Sequence, residues 1–338
     1  MQINANMHDD LSFEVLKQVE DEGVEPYAAL SERYTKRMVD AGLQLQGFTV
    51  GGDAPRFCGG QDLNAGVIRR LDITQRAVDA SDGEYVIVRS TGDLAALESG
   101  DRRGLLLTIE GSQPCGDDLS MLRTFFNLGL RSVCLVWFKA NQVGDGVGEK
   151  RLAGLTNFGR QFVNEMNSLG MLIDVAQATE QTFWDVLETS TKPIVASHSN
   201  AAGKYAHVRN LTDAQLKALG QAGGLICMTT YPAHISAGIP SIDDYVDQLL
   251  YAIDFVGPEH VALGLNIIGG APELEKKFFQ KAKIEQTNLW LDGLEDVDKL
   301  PRLRARLQSR GVDPETMSLI SGGNIVRVLQ DVLPKNPS

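Results

Sequence analysis

Short apolar runs alternate along the chain with longer stretches in which apolar residues recur every three or four positions. A short apolar run bounded by turn residues predicts a buried strand, and the wider spacing predicts an amphipathic helix. The predicted strands cover residues 3–8, 43–50, 105–110, 132–138, 171–176, 193–199, 224–231 and 261–267, and a run at 85–89 predicts an extra or edge strand. The predicted helices cover residues 14–20, 27–41, 68–80, 119–128, 156–169, 179–189, 213–222 and 242–256.

Repeated strand–helix units predict a parallel sheet, because parallel neighbours need a crossover connection. Eight such units indicate an α/β protein with a (β/α)8 TIM-like barrel, formed as a single domain over residues 1–338. An open, doubly wound sheet is the alternative. No Gly-x-Gly-x-x-Gly follows an early strand, which argues against a dinucleotide-binding fold.

Charge and composition narrow the class of partner. The net charge is −12, so we expect neither nucleic acid nor an anionic membrane surface as a partner. No apolar run approaches the roughly 20 residues of a membrane span, and we expect no signal peptide, because no basic segment precedes an apolar one. Four scattered cysteines without a Cys-x-x-Cys pair predict reduced thiols and a cytoplasmic protein.

Polar side chains gather at the predicted strand ends, where barrel enzymes place their chemistry. The first strand ends in His8-Asp9-Asp10. Residues i and i+2 of a strand point the same way, so His8 and Asp10 can face one point. An imidazole and a carboxylate there suit zinc or a similar divalent ion. A solvated N-terminal turn is the alternative.

Glu110 and His198 each follow an apolar strand. A carboxylate in such a place is costly unless it is paired or binds a metal. The alternatives are a salt bridge from Glu110 to Arg102 or Arg103 and a hydrogen-bonded core histidine at 198. A metal site would explain why Glu110 and His198 stand at strand ends, as His8 and Asp10 do at the end of the first strand.

The loop at residues 205–210 contains a basic residue, Arg209, that could bind a carboxylate. The planar guanidinium of Arg209 suits a carboxylate, and a contact at the start of the next helix is the alternative. His234 and His260 are interpreted as loop residues without an assigned role.

Several segments resemble the renal, or membrane, dipeptidase family of zinc metallopeptidases, in particular its bacterial members. The similar segments are His8-Asp9-Asp10-Leu11, Ile109-Glu110-Gly111, residues 141–174, Ala196-Ser197-His198-Ser199-Asn200, residues 209–213, residues 257–264 and residues 322–329. They follow the family's order over nearly the whole chain, while residues 13–63 and 271–301 match less well.

The resemblance implies a barrel, often dimeric, that holds two zinc ions and hydrolyses dipeptides or related small amides. It implies that His8, Asp10 and Glu110 hold the first metal. It implies Glu110 and His198 as ligands of the second. Arg209 would bind the terminal carboxylate of the substrate. By the same resemblance, Tyr231 would lie beside the site.

Two positions depart from the family's pattern and lead us to expect a depleted metal site. Gln177 stands where the family has a histidine, and an amide is a weak zinc ligand; we therefore expect one zinc ion and regard the second as doubtful. Asn266 stands where the family has a catalytic aspartate, and asparagine cannot act as a general base, which contributes roughly 10²- to 10⁴-fold. Trp137 replaces a smaller side chain and would fill part of the substrate pocket.

Two functions follow. The first is a metal-dependent hydrolase of small amides or dipeptides, in which metal-activated water is the nucleophile and Glu110 and position 266 lie at the reacting centre. The second is a non-hydrolytic or catalytically impaired homologue that binds or processes a peptide-like metabolite.

Overall fold

Eight parallel strands form a barrel in the computed structural model, which describes residues 2–267 and 290–335. The strands are β1 (Ala5–Asp9), β2 (Leu45–Gly52), β3 (Tyr85–Ile87), β4 (Arg103–Glu110), β5 (Ser132–Cys134), β6 (Leu172–Asp174), β7 (Val195–Ser199), β8 (Leu225–Met228) and β9 (Val261–Leu263). The barrel order is β1-β2-β4-β5-β6-β7-β8-β9, and β3 pairs with β4 outside this path. The predicted (β/α)8 fold and the extra strand are confirmed.

Hydrogen bonds beyond the end of β9 close the barrel against β1. The main-chain N–H of Asn266 donates to the carbonyl of His8 at 2.9 Å, and the N–H of Asp10 donates to the carbonyl of Ile267 at 3.1 Å. The closure therefore brings position 266 next to the first predicted metal ligand.

Several strands end earlier than the apolar pattern predicts. The predicted strand 132–138 ends at Cys134. The N–H of Leu135 still donates to the carbonyl of Asp174 on β6 at 3.1 Å, but the N–H groups of Trp137 and Phe138 bond side chains instead of a neighbouring strand. The N–H of Trp137 donates to Asp53 and that of Phe138 donates to Gln177, each at 3.1 Å. Trp137 thus lies in the loop after β5, and the expectation that it ends the strand was wrong.

Helices surround the strands. They are α1 (Leu11–Glu22), α2 (Pro26–Leu30), α3 (Lys36–Ala41), α4 (Leu63–Asp79), α5 (Thr91–Ala95), α6 (Leu119–Asn127), α7 (Asn157–Leu169), α8 (Glu180–Thr189), α9 (Asp213–Gln221), α10 (Ile242–Val256), α11 (Leu300–Ser309), α12 (Pro314–Ser318) and α13 (Asn324–Val332). A π-helical turn, Ser31–Thr35, joins α2 to α3. Thr212 and Ser241 cap α9 and α10 through their side chains, as expected for these residue types. Within the described ranges, no helix combines the length and apolar content required to cross a bilayer.

The core has two parts, and the inner one supports the site. Apolar residues on alternate positions of the strands form an inner cluster that includes Met7, Leu106 and Val195. Helix α13, which the sequence analysis did not predict, contributes Ile325 and Leu329 to the same cluster. The larger cluster lies between the strands and the surrounding helices. Apolar side chains fill the inner cluster, and the polar side chains of the site lie beyond it, at the carboxyl ends of the strands.

Candidate metal centre

Register shifts in two strands turn the side chains of His8 and His198 toward the barrel axis. Met7 belongs to the inner cluster, so strict alternation would turn His8 outward. Strand β1 shifts register between Asn6 and Asp9, and His8 is buried beside Glu110 instead. Strand β7 shifts in the same way between residues 196 and 199, which brings His198 inward. Glu110 needs no such shift, because it shares the face of Leu106 on β4.

The three side chains meet in one buried cluster. Ligand atoms of His8, Glu110 and His198 all lie within 4.8 Å of one another. Glu110 Oε1 is 3.2 Å from His198 Nε2, and Asp10 Oδ1 is 3.7 Å from His8 Nε2. His8 is 3% exposed, so the alternative of a solvated turn was wrong.

The salt-bridge alternative for Glu110 was also wrong. Arg103 begins β4, at the opposite end of the strand, and pairs with Glu84 at 3.1 Å. The carboxylate of Glu110 instead contacts His198 and Gln177.

Both imidazoles are held in the neutral form. Burial, helped by the nearby His198 and Arg209, lowers the pKa of His8 to about 3, although the charge of Glu110 acts in the opposite direction. Burial also lowers the pKa of His198 well below its usual value, with a smaller contribution from Arg209. A neutral imidazole offers a lone pair, which is the form that binds a metal.

The donor set at β1 fits a divalent cation. His8 Nε2 is buried and has no hydrogen-bond partner among residues 2–267 and 290–335, although leaving such an atom unsatisfied costs roughly 1–3 kcal/mol. Two ligands of one tetrahedral zinc lie roughly 3.3–3.6 Å apart, given bonds of about 2.0–2.2 Å. The His8–Asp10 separation of 3.7 Å is close to that spacing.

A serine between two polar groups fixes the orientation of His198. The Oγ–H of Ser197 donates to Asp174, and the Oγ lies 2.7 Å from His198 Nδ1. Since the hydroxyl proton is used on Asp174, Ser197 Oγ accepts from the N–H at Nδ1. His198 therefore carries its proton on Nδ1, and Nε2 presents a lone pair to Glu110. The sequence analysis assigned no role to Ser197 or Asp174.

Gln177 lies between the two predicted ligands of the second metal. Its Oε1 accepts from the N–H of Phe138 at 3.1 Å. Its Nε2 donates to Glu110 Oε1 and lies 3.3 Å from His198 Nε2. The amide thus turns its nitrogen, which cannot ligate a metal, toward the cluster. The prediction that Gln177 is a weak ligand would require the oxygen to turn inward.

Arg209 is buried against the cluster. Its Nη2 donates to the carbonyl of His198 at 3.3 Å. Burial lowers its pKa, and the charge of Glu110 opposes that change. Arg209 also lines a cavity of about 830 Å³ between the loops after β6 and β7.

His234 was treated as a loop residue without a role, and the structure gives it a buried position in that loop. Its ring centroid lies 4.8 Å from those of His207 and of Tyr231. Burial lowers the pKa of His234 well below its usual value, with a smaller contribution from Arg209. No periodicity marked this residue, because it belongs to a short 3-10 turn at Pro232–His234.

Asn266 and Trp137 lie on opposite sides of the cluster. Asn266 has a left-handed backbone, with φ of 53°, a conformation that asparagine adopts more readily than most residues. Trp137 is half-buried, and the guanidinium of Arg56 lies 5.0 Å from the centre of its ring.

Asp53 is a partly buried acid for which no role was predicted from the sequence. It follows β2 and accepts from the N–H groups of Gln113 and Trp137 and from Asn141 Nδ2. Burial raises its pKa to about 6. Its hydrogen bonds connect the loops after β4 and β5, so it acts on the shape of the site rather than as a metal ligand.

The chain is similar to curated dipeptidases over part of their length. Dipeptidase tcpJ of Claviceps purpurea is 29% identical over 268 residues, covering 78% of this chain and 59% of that protein. Dipeptidase aclJ of Aspergillus oryzae is 30% identical over 271 residues, covering 78% of this chain and 60% of that protein. The chain thus spans about three fifths of the length of these relatives.

Solved structures share the fold over almost the full chain. A structure titled dipeptidase AC has a TM-score of 0.83 at 22% identity and covers 98% of each chain. A metallopeptidase from Rhodobacter sphaeroides has a TM-score of 0.82 at 22% identity, covering 98% of this chain and 100% of that one. The latter was solved with a phosphinate mimic of the dipeptide L-Ala-D-Ala. The family model described as membrane dipeptidase, peptidase family M19, matches residues 8–334. The chain belongs to the membrane dipeptidase family.

Proposed function

We propose that this protein hydrolyses dipeptides or related small amides at a depleted metal site that holds one zinc ion. His8, Asp10 and Glu110 would hold the ion, while His198 and Gln177 line the position of a second. The observation that carries the proposal is the neutral, unpartnered Nε2 of His8, buried 3.7 Å from Asp10 Oδ1 and grouped with Glu110.

A bound zinc ion would polarise the substrate carbonyl and lower the pKa of water to about 7. Glu110 supplies the proton acceptor in this proposal, since Asn266 cannot accept one. Glu110 would hold the ion through Oε1, the oxygen that contacts Gln177 and His198, and would accept the proton of the water on Oε2. Water adds to the amide carbon, its proton moves to Oε2, and the proton passes to the leaving amine as the C–N bond breaks.

Arg209 would bind the carboxylate end of the substrate. The guanidinium is buried beside the cluster and can pair with a carboxylate through two N–H groups. The cavity that it lines has apolar walls at Leu152, Trp184 and Val208, which favours a substrate with an apolar side chain. Trp137 and Tyr231 would border the substrate on the other side. The dipeptide mimic bound by the Rhodobacter relative is consistent with this substrate class.

A second function is favoured by one specific contact. The nitrogen of Gln177 lies against both Glu110 and His198, so the cluster differs from a two-metal hydrolase. A non-hydrolytic or impaired homologue that binds a peptide-like metabolite is therefore the alternative. The homodimer, the cytoplasmic location and the single domain over residues 1–338 remain predictions.

The test is hydrolysis of a dipeptide panel by protein stripped with a chelator and then supplied with zinc. We expect release of free amino acids that depends on added zinc and is lost in Glu110→Gln. Binding of the same dipeptides without turnover at any zinc concentration would instead support the second function.

A further inference from the structure

Two hydrogen-bond acceptors face each other in the buried cluster. Ser197 places the proton of His198 on Nδ1, so Nε2 carries a lone pair. Glu110 Oε1 lies 3.2 Å from that nitrogen. Two acceptors this close inside a protein repel each other unless a cation or proton donors lie beside both.

The amide of Gln177 meets this requirement without a metal. An amide nitrogen carries two protons, and Nε2 of Gln177 contacts both Glu110 Oε1 and His198 Nε2. The N–H of Phe138 bonds the amide oxygen and so prevents the amide from turning over.

The loop that contains Phe138 has a strained backbone at the residue that makes this contact. Phe138 has φ of 54°, a left-handed conformation that is strained for a bulky side chain. The N–H of Gly148 donates to the carbonyl of Phe138 at 2.6 Å and holds the residue in place. Strain of this kind persists only where the surroundings enforce it.

Positive charge is already present near Glu110. Arg209 is buried and interacts electrostatically with Glu110 and Asp174. A second dication next to Arg209 would be opposed by this charge, whereas a neutral amide is not.

We propose that the side-chain amide of Gln177 takes the place of the second cation, so that the site is built for one metal ion and Gln177 is a positioning residue for Glu110. The inference rests on the metal binding in the proposed function. It adds that the second position is filled by the protein itself, and is not a two-metal site lacking a ligand.

Metal content of the full chain, measured by elemental analysis after dialysis against zinc, tests this directly. We expect one ion per chain for wild type and two for Gln177→His, which replaces the donor with a ligand. Gln221→His adds an exposed histidine at the end of α9 and should stay at one ion. Two ions in wild type, or one ion in a folded Gln177→His variant, would overturn the inference.

A second variant covers the case in which the histidine does not fold. Gln177→Met removes both proton donors at similar size, and we expect the metal-free chain to unfold about 2–4 °C lower than wild type. An unchanged unfolding temperature contradicts the role of the amide. One ion per chain without dipeptide hydrolysis would refute the proposed function and leave this inference standing, whereas no bound metal would refute both.

Discussion

His8 and His198 stack face to face, with ring centroids 4.0 Å apart and planes inclined by 19°. They come from β1 and β7, which are not neighbours in the barrel, so the contact spans the axis of the site. Only neutral rings tolerate this arrangement beside Arg209, and burial keeps the pKa of both rings low.

Replacing His8 should remove metal binding. We expect His8→Gln to weaken zinc affinity by more than roughly 100-fold, since loss of even an outer partner of a ligand costs 10- to 100-fold. Isothermal titration with zinc measures the effect. His260→Gln is the control, because that histidine bonds the carbonyl of Gly224 away from the cluster. Equal zinc affinity in wild type and His8→Gln would rule out His8 as a ligand.

Ser197 should matter through the histidine that it orients. Ser197→Ala removes a proton donor to Asp174 and the acceptor for His198 Nδ1. We expect a loss of about 1–3 kcal/mol in the free energy of unfolding, together with a change in the tautomer of His198 seen by nitrogen NMR. Ser199→Ala is the matched control, because the hydroxyl of Ser199 donates to the carbonyl of Ala176 at 3.2 Å and not to Asp174. An unchanged tautomer would contradict the orientation argued for His198.

The same residues show which parts of the site could be predicted from the sequence. Glu110 was predicted from the cost of a carboxylate at the end of a buried apolar strand, and it lies in the cluster. The positions of His8 and His198 at strand ends were predicted, but the register shifts that turn them inward leave no mark in the apolar pattern. The link from Ser197 to Asp174 joins two strands and requires their register.

Loop residues were the least predictable. The contact between Gln177 and the N–H of Phe138 depends on a left-handed backbone at a bulky residue, which sequence propensities disfavour. The predicted helices end at residue 256, so α13 was not predicted.

Arg209 should act on the carboxylate end of a substrate. Arg209→Lys keeps the charge but loses the planar pair of donors, so we expect kcat/KM for a dipeptide to fall roughly 10- to 100-fold, mainly through KM. The same variant should hardly change hydrolysis of the corresponding dipeptide amide, which has no free carboxylate. Arg327→Lys, on the far side from the cluster, is the control. A parallel loss with both substrates would argue for a structural role only.

Restoring an acid at position 266 should raise turnover. Asn266→Asp introduces a proton acceptor beside the carbonyl of His8, and aspartate tolerates the left-handed backbone there. We expect kcat to rise by up to roughly 10²-fold, the lower end of general acid–base assistance. Asn64→Asp, in the first turn of α4, serves as the control for added negative charge. A kcat that does not rise, in a folded Asn266→Asp protein, would show that this position does not limit the reaction.

The link between α1 and α4 predicts a pH dependence of stability. Glu20 bonds Arg70 at 2.7 Å and Arg69 at 3.2 Å. Burial alone would raise the pKa of Glu20, but the hydrogen bonds and charge of these arginines outweigh it and hold the pKa below its usual value. A carboxyl with a lowered folded pKa stabilises the fold above its unfolded pKa, and this stability is lost as pH falls.

Glu20→Gln should therefore destabilise the protein by about 1–3 kcal/mol at pH 7. The difference from wild type should shrink as the pH falls below 4.5, the usual pKa of this carboxyl, and disappear below the lowered pKa of Glu20 in the folded protein. Urea unfolding at several pH values measures this, with the exposed Glu98→Gln as the control. A difference that stays constant with pH would exclude the ion pair as its cause.

The central claim is that one zinc ion, held by His8, Asp10 and Glu110, supports hydrolysis of dipeptides. The most direct measurement is the initial rate of dipeptide hydrolysis by metal-stripped protein as zinc is added in sub-stoichiometric steps. We expect a rate that rises linearly and reaches its plateau at one zinc ion per chain. A plateau at two ions per chain, or no hydrolysis at any zinc level, would contradict it.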